Sequence, residues 1–499
     1  MRGTVLSNNK GYALERRHDL DLLRLWLTVL VICTWHVLDL TATGGVINKI
    51  GGLSFMRPSI LLAITREVPR AFVIPACFWI SGRLTARSVE GAGKSPGKLV
   101  VDRTIRLFVP SVAFTLLIWP FALLPGAGVS DFPSLWRFLL DYWKSLNGIQ
   151  GPAWYSATLL CFDYGLALLK KVSETTAYRR LVSRPGASLL VSLRAYMALS
   201  TYGWAGLTMT SYLIRQAFPN RVIFVPLSVR PGFLLGYIYA YGMGYQSFCH
   251  SMSTMTGPFS QAKLGYKSGL SMADNLESDG SERNSQDGPR TQITVLKSRA
   301  SARLAIAILV SLAFYLSILI VPALIEIFRP HMSGGHFSAE SNWTSISEAL
   351  VLRIDHLYFD AGFDIDTALY AIWREFTVFG LIGPAITEWF YEFYSGPMQE
   401  PQERVGWCSR TFFTVFSPRY SFVAYLDHGP IGILLCWLVE STFVKNSAHP
   451  WLHFIYESAF AREITQIGMT LVDFALVTVV SFAVGWLVVE KVPGCKKVL

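Results

Sequence analysis

Four groups of ionisable and hydroxyl-bearing residues interrupt the apolar stretches of this 499-residue chain. The first, Arg17-His18-Asp19-Leu20-Asp21-Leu22-Leu23-Arg24, leads into an apolar run that carries His36 and Asp39. At about 1.5 Å rise per residue, a helix here puts His36 about 18 Å beyond Arg24. A neutral imidazole in an apolar site can act as a general base toward a hydroxyl, although a lone buried His is as often a packing residue. The second group is Phe78-Trp79-Ile80-Ser81-Gly82-Arg83, followed by Arg103-Thr104-Ile105-Arg106 and Pro110. Two arginines one helical turn apart suit phosphate groups; they equally suit anchoring of a helix at a membrane face. The third, Gly151-Pro152-Ala153-Trp154-Tyr155, holds an aromatic pair of the kind found in interfacial belts. The fourth comprises Arg374-Glu375 and Tyr425-Leu426-Asp427-His428-Gly429-Pro430. Neighbours on a helix point to different sides, so Arg374 and Glu375 are expected to need separate partners or a wet cavity.

These groups sit in a chain that is 52% hydrophobic and 16% charged, with a mean hydropathy of +0.38, too apolar for a set of soluble domains. The expected fold is an all-α integral membrane protein of about ten transmembrane helices. Candidate spans lie near residues 20–40, 68–84, 105–124, 152–169, 188–214, 222–245, 304–328, 368–391, 413–439 and 468–489. Lys and Arg concentrate in the N-terminal segment and in alternate loops, which places both termini in the cytosol. The first loop, with Lys49, Arg57 and Arg66, fits that alternation less well. The expected organisation is a cytosolic segment (1–19), a first membrane half (20–246), a disordered Ser/Gly/Asp-rich cytosolic insert (247–303) and a second membrane half with a short tail (304–499). The sequon Asn342-Trp343-Thr344 then falls outside, where glycosylation can occur. No cleavable signal peptide is expected, and the first helix would serve as the insertion signal.

The net charge of +10 is spread over short loops, which argues against nucleic acid as a partner. Seven Cys without a CxxC pair argue against a disulfide framework and against a metal site.

Taken in order, the motifs resemble the acyltransferase family 3 proteins, in particular the branch of bacterial glucan biosynthesis protein C and related fungal proteins. The matching residues are Leu20, Asp21 and Arg24 leading to His36; Phe78, Ser81 and Gly82; Arg103, Arg106 and Pro110; Gly151, Pro152, Trp154 and Tyr155; and Tyr420, Tyr425, His428 and Pro430. The resemblance implies transfer of an acyl group, most often acetyl or succinyl, from acyl-CoA as co-substrate to a hydroxyl of a carbohydrate, lipid or secondary metabolite. It implies no permanently bound cofactor, and membrane lipid, acyl-CoA and the acceptor as partners. It gives His36 the role of general base, with Asp21 or Asp39 orienting it. Arg24, Arg103 and Arg106, with Ser81, would bind the acyl-CoA. Trp154, Tyr155, Glu375, Tyr425 and His428 would form the substrate side. The plasma membrane or a secretory-pathway membrane is the expected location.

The spacing departs from the family in one place. The family's Arg and His are one residue closer, which sets them about 20° apart on a helix. Here a step of twelve sets Arg24 and His36 about 120° apart, and Trp35 stands in the family's His position. A π-bulge would restore the facing; otherwise Asp21, about 60° from His36, is the better-aligned partner. Two rivals follow from the same residues. One is a transporter or flippase of a glycan or acylated product, its intramembrane charges lining a path; the other is an inactive family member serving as a scaffold.

Overall fold

Apolar runs this long must satisfy every backbone N–H and C=O internally, and they do so as helices. The structure, a computed structural model, describes residues 18–40, 60–124, 131–176, 201–219, 222–256, 287–332, 364–394, 416–439 and 459–493, apart from scattered single positions. The helices are α1 (His18–Leu40), α2 (Ile60–Ala86), α3 (Pro96–Leu123), α4 (Phe132–Lys144), α5 (Trp154–Ser173), α6 (Thr201–Ala217), α7 (Pro231–Thr256) and α8 (Asp287–Met332). There follow α9 (Ile365–Phe376), α10 (Gly383–Tyr394), α11 (Ser421–Val439) and α12 (Ala459–Lys491). A π-helical segment, Thr377–Ile382, joins α9 to α10.

Every predicted run contains helix, but the boundaries move. The run near 68–84 begins earlier, at Ile60, which takes Arg66 out of the first loop and buries it inside α2 at 2% exposure. That removes one basic residue from the loop that fitted the charge alternation poorly. The run near 222–245 starts only at Pro231, because residues 222–230 form a tight turn closed by a Phe224–Val229 bridge. Both ends of the stretch expected as an insert, 247–303, are helical: α7 continues to Thr256 and α8 begins at Asp287. Residues 257–286, like Asn342 and its sequon, lie outside the described residues.

Among the described residues, three stretches are long and apolar enough to cross a membrane by length and composition: Pro96–Leu123, Ser298–Pro322 and Thr470–Lys491. They also turn apolar side chains outward, among them Leu117, Leu309 and Val472, each at least 60% exposed. Such a surface is stable only against lipid. The other apolar helices carry more charge, but they turn it inward: Arg66 and Glu67 on α2 and Arg374 and Glu375 on α9 are all buried.

Helix α3 is interrupted by π-helical segments at Thr104–Phe108 and Phe114–Ile118. Pro120 cannot donate to the Leu116 carbonyl one turn back, and the Trp143 indole N–H does so instead at 3.2 Å. The Tyr142 hydroxyl donates to the neighbouring Thr115 carbonyl at 2.8 Å. Both come from α4, a helix absent from the sequence reading, which starts at an Asp131–Ser134 capping box. Burial against α3 pushes the Tyr142 hydroxyl up to about 12.

Helices α2 and α7 pack so closely that two glycines are required. A Cβ on Gly82 would overlap the Tyr241 carbonyl, and one on Gly244 would overlap that of Trp79. This backbone-to-backbone approach is the small-residue mode of membrane helix packing, and it explains the Gly of the Phe-x-x-Ser-Gly motif. Gly82→Ala or Gly244→Ala is expected to destabilise the protein by about 1–3 kcal/mol or more through overpacking. Thermal unfolding in detergent checks this against Gly165→Ala, a position with open space around it.

Candidate active site

Phe78, fully buried on α2, is the hub on which the motifs converge. Its ring lies 4.7 Å from that of Tyr155, 5.1 Å from Phe162 and 5.0 Å from Tyr237. The same helix then places the Ser81 hydroxyl 2.9 Å from the Tyr155 hydroxyl. Tyr155 meets the Tyr425 ring edge-on at 5.5 Å, and the Tyr425 hydroxyl donates to the Pro152 carbonyl at 2.8 Å. Gly151, which begins this turn, has φ +59° and no room for a Cβ beside the Trp119 ring. Only glycine combines that conformation with that contact.

Two cavities meet at this junction. The smaller, about 100 Å³, is lined by Arg24, Ser81, Arg103, Tyr155 and Ser421 among others; the larger, about 420 Å³, is lined by Arg70, Trp154, Arg230, Tyr370, Arg374 and His428 among others. Val31, Ile74 and Tyr425 line both. Along α1 the lining runs from Arg24 to Val31 and then to Thr34, and along α2 backward from Leu84 to Ile74 and Arg70. The cavities are therefore stacked along the bundle, the smaller toward the start of α1.

Arg103 is held from behind. Its Nε lies 3.0 Å from Asp163 Oδ2, and another of its nitrogens donates to Thr85 Oγ1 at 2.8 Å. Asp163, fully buried, also accepts from Thr85 at 2.9 Å and from Tyr241 at 2.5 Å. The π-helical segment at Thr104–Phe108 turns Arg106 outward, so the expected pair of adjacent phosphate donors is split: Arg103 faces the smaller cavity and Arg106 the exposed surface.

Arg374 and Glu375 correct an expectation. They pair with each other, Nη1 to Oε1 at 2.9 Å, because both side chains are long enough to fold toward one side of α9. Arg374 lines the larger cavity and stacks on Phe233 at 3.9 Å, while Glu375 is buried and absent from the lining. Glu375 thus positions Arg374. A matching arrangement on α2 went unread in the sequence: Glu67 accepts from Arg66 at 2.8 Å, from Arg70 at 3.1 Å and from Tyr370 at 3.3 Å, and Arg70 and Tyr370 line the same cavity.

His428 is 1% exposed, and its Nδ1 lies 2.5 Å from the Tyr425 carbonyl. A carbonyl only accepts, so Nδ1 carries the proton and Nε2 of the neutral ring is the basic nitrogen. Helix α1 is regular throughout, with none of the π-helical turns seen elsewhere. Its lining positions, 24, 27, 28, 31 and 34, span an arc of about 120° at about 100° per residue. Position 35 falls within that arc, and position 36 falls about 140° from its centre. The side chains of residues 35–40, His36 and Asp39 included, lie outside the described residues. Among the described residues, no group of three or more His, Cys, Asp or Glu is placed to hold a metal ion.

Residues 17–254 match the family model described as an acyltransferase domain. No curated protein and no solved structure matches the chain. The match takes in Asp21, Arg24, His36, Ser81, Arg103, Arg106, Trp154 and Tyr155 and leaves Glu375, Tyr425 and His428 outside it. Residues 17–254 thus carry an acyltransferase family 3 domain, and the chain is a membrane protein.

Proposed function

We propose that the chain transfers an acyl group from acyl-CoA to a hydroxyl of a carbohydrate, lipid or secondary metabolite, with the donor entering the smaller cavity and the acceptor the larger. The observation that carries this reading is the meeting of the two cavities at Val31, Ile74 and Tyr425. In the ten-helix topology with cytosolic termini, the start of α1 and the smaller cavity face the cytosol, where acyl-CoA is made. That cavity, about 100 Å³, is far below the several hundred Å³ of a cofactor-sized site. It admits the acyl end, and the CoA phosphates stay outside, by Arg106 and the mouth formed by Arg24 and Arg103.

The chemistry is a substitution at the thioester. His428 Nε2 takes the acceptor proton, the acceptor oxygen bonds to the acyl carbon, and the carbon–sulfur bond breaks. The imidazolium proton then passes to the CoA sulfur. Ser81 and Tyr155 share one hydrogen bond, which leaves one hydroxyl proton of the pair to donate to the thioester oxygen as negative charge develops there. His36, to which the family resemblance gives the base role, is the alternative imidazole. The glucan biosynthesis protein C branch is the relative whose acceptors we would screen first.

The donor half of this reading is tested by CoA binding to the full chain in nanodiscs. Saturable binding is expected, weakened about tenfold by Arg106→Glu through loss of a charge-assisted phosphate contact. A transporter of glycans would bind no CoA, and that result would sink the acyltransferase reading.

A further inference from the structure

Asp427 stands next to His428 in the chain and has no part in the chemistry above. The α11 and pre-α11 residues packed on α12 include Tyr420, Val423, Ala424, Ile431 and Leu435, and at about 100° per residue position 427 falls inside that face. Asp427 is 9% exposed there, and the Ser481 hydroxyl faces it from α12. Thr478, 6% exposed, stands one turn before Ser481, on the α12 face that carries Val477 and Phe482. Buried carboxylates and hydroxyls normally find hydrogen bonds. These do not: neither Asp427 oxygen makes one, and neither do the Ser481 and Thr478 hydroxyls. Thr28, Ser111, Thr158 and Thr208 bond back to a carbonyl of their own helix; Thr478 and Ser481 forgo that bond. Pro430 leaves one more acceptor beside Asp427, since it has no N–H to give the Leu426 carbonyl one turn back. Ser481 lies halfway along the membrane-crossing stretch Thr470–Lys491, and no charged group among the described residues acts on Asp427. An isolated carboxylate at that depth is costly until a positive charge joins it.

We propose that Asp427, Thr478 and Ser481 bind one alkali-metal cation, probed here as sodium, which clamps α11 to α12. Every donor is a hard oxygen, the kind of ligand that hard cations take. The charge count selects the class of ion. One carboxylate balances one positive charge, whereas a divalent ion would leave a net charge at bilayer depth. Filling the site also fixes the turn of α11 that carries His428. The inference goes beyond the acyltransferase reading and stands without it, because it rests on the α11–α12 interface alone.

The test is thermal unfolding of the full chain in phosphatidylcholine nanodiscs, with sodium chloride replacing choline chloride at constant ionic strength. An ion held only by the folded state raises the unfolding midpoint, and raises it further with each increase in its concentration above Kd. Wild type is therefore expected to unfold a few degrees higher in sodium than in choline. Asp427→Asn keeps the shape of the side chain and removes its charge. It should unfold at one temperature in both salts and, in choline, no lower than wild type. Ser481→Ala should match wild type in choline and need about tenfold more sodium for the same rise, through loss of one ligand. A wild-type midpoint that is the same in both salts would overturn the proposal and leave Asp427 protonated or bound to water. A sodium-dependent rise that survives in Asp427→Asn would overturn it as well. Should Asp427→Asn fail to fold, Ser481→Ala decides alone: a sodium dependence identical to that of wild type would overturn the assignment, and a weakened one would support it.

Discussion

Replacing Asp163 with alanine is expected to cost about 3–5 kcal/mol of stability, the usual penalty for removing one partner of a buried ion pair. Asp163 is fully buried and binds Arg103, Thr85 and Tyr241, so it ties α5 to α2, α3 and α7. Without it, the Arg103 guanidinium keeps its place beside the smaller cavity with no carboxylate to balance it. Net stabilities of folded proteins are themselves about 5–15 kcal/mol, so the variant should unfold well below wild type in a detergent melt or fail to accumulate. Replacing both partners together, Arg103→Met with Asp163→Leu, should recover most of the loss, because a well-packed apolar pair substitutes for a buried ion pair at little cost. The double variant should still bind CoA more weakly than wild type, since it lacks the Arg103 charge at the donor mouth. A double variant as unstable as Asp163→Ala would mean that Thr85 and Tyr241, rather than the charge pair, carry the stability of this hub.

Replacing His428 with alanine is expected to slow acyl transfer by a factor of about 10²–10⁴, the range for loss of a positioned general base. The loss should appear in kcat with little change in the KM for acyl-CoA, because His428 lines the larger cavity, which we assign to the acceptor, and not the smaller. His428→Gln keeps a polar side chain without a basic nitrogen and should be nearly as slow. Stability should change less than rate, which a melt of the same preparation will show. His36→Ala is the informative companion. In the register of α1, position 36 lies off the cavity-lining arc, so this variant should stay within about tenfold of wild type if His428 is the base; a general base would lose about 10² or more.

The legible part of the fold was the part governed by hydropathy. Apolar runs mark where helices lie, and the order of the motifs points to the family. What escaped were features in which a charge finds its partner across space. Arg66 precedes the apolar run at 68–84, so hydropathy alone places it in a loop; in three dimensions it lies inside α2, paired with Glu67. Asp163 sits in Cys-Phe-Asp-Tyr-Gly, and an acid inside an apolar helix is a signal that could have been read from the sequence. Its three partners come from three other helices and could not have been. Helix α4 was missed because its role is to supply hydrogen bonds to carbonyls on α3 that Pro120 and a π-helical segment deprive of their usual donors. The Arg374-Glu375 pair was misjudged because backbone direction was taken to decide where long side chains end. Gly82 and Gly151 were seen as motif letters, and only the neighbouring backbone and ring explain them.

The central claim, imidazole-driven acyl transfer where the two cavities meet, is tested most directly by release of free CoA from labelled acetyl-CoA. The full chain in nanodiscs would be supplied with a panel of acidic and neutral sugars, and wild type compared with equally folded His428→Ala and His36→Ala. The account predicts acceptor-dependent release in wild type, release within about tenfold of it in His36→Ala, and a loss of about 10² or more in His428→Ala. Full activity in His428→Ala together with none in His36→Ala would contradict the site described here and return the base to α1, and CoA release by none of the three would contradict the chemistry itself.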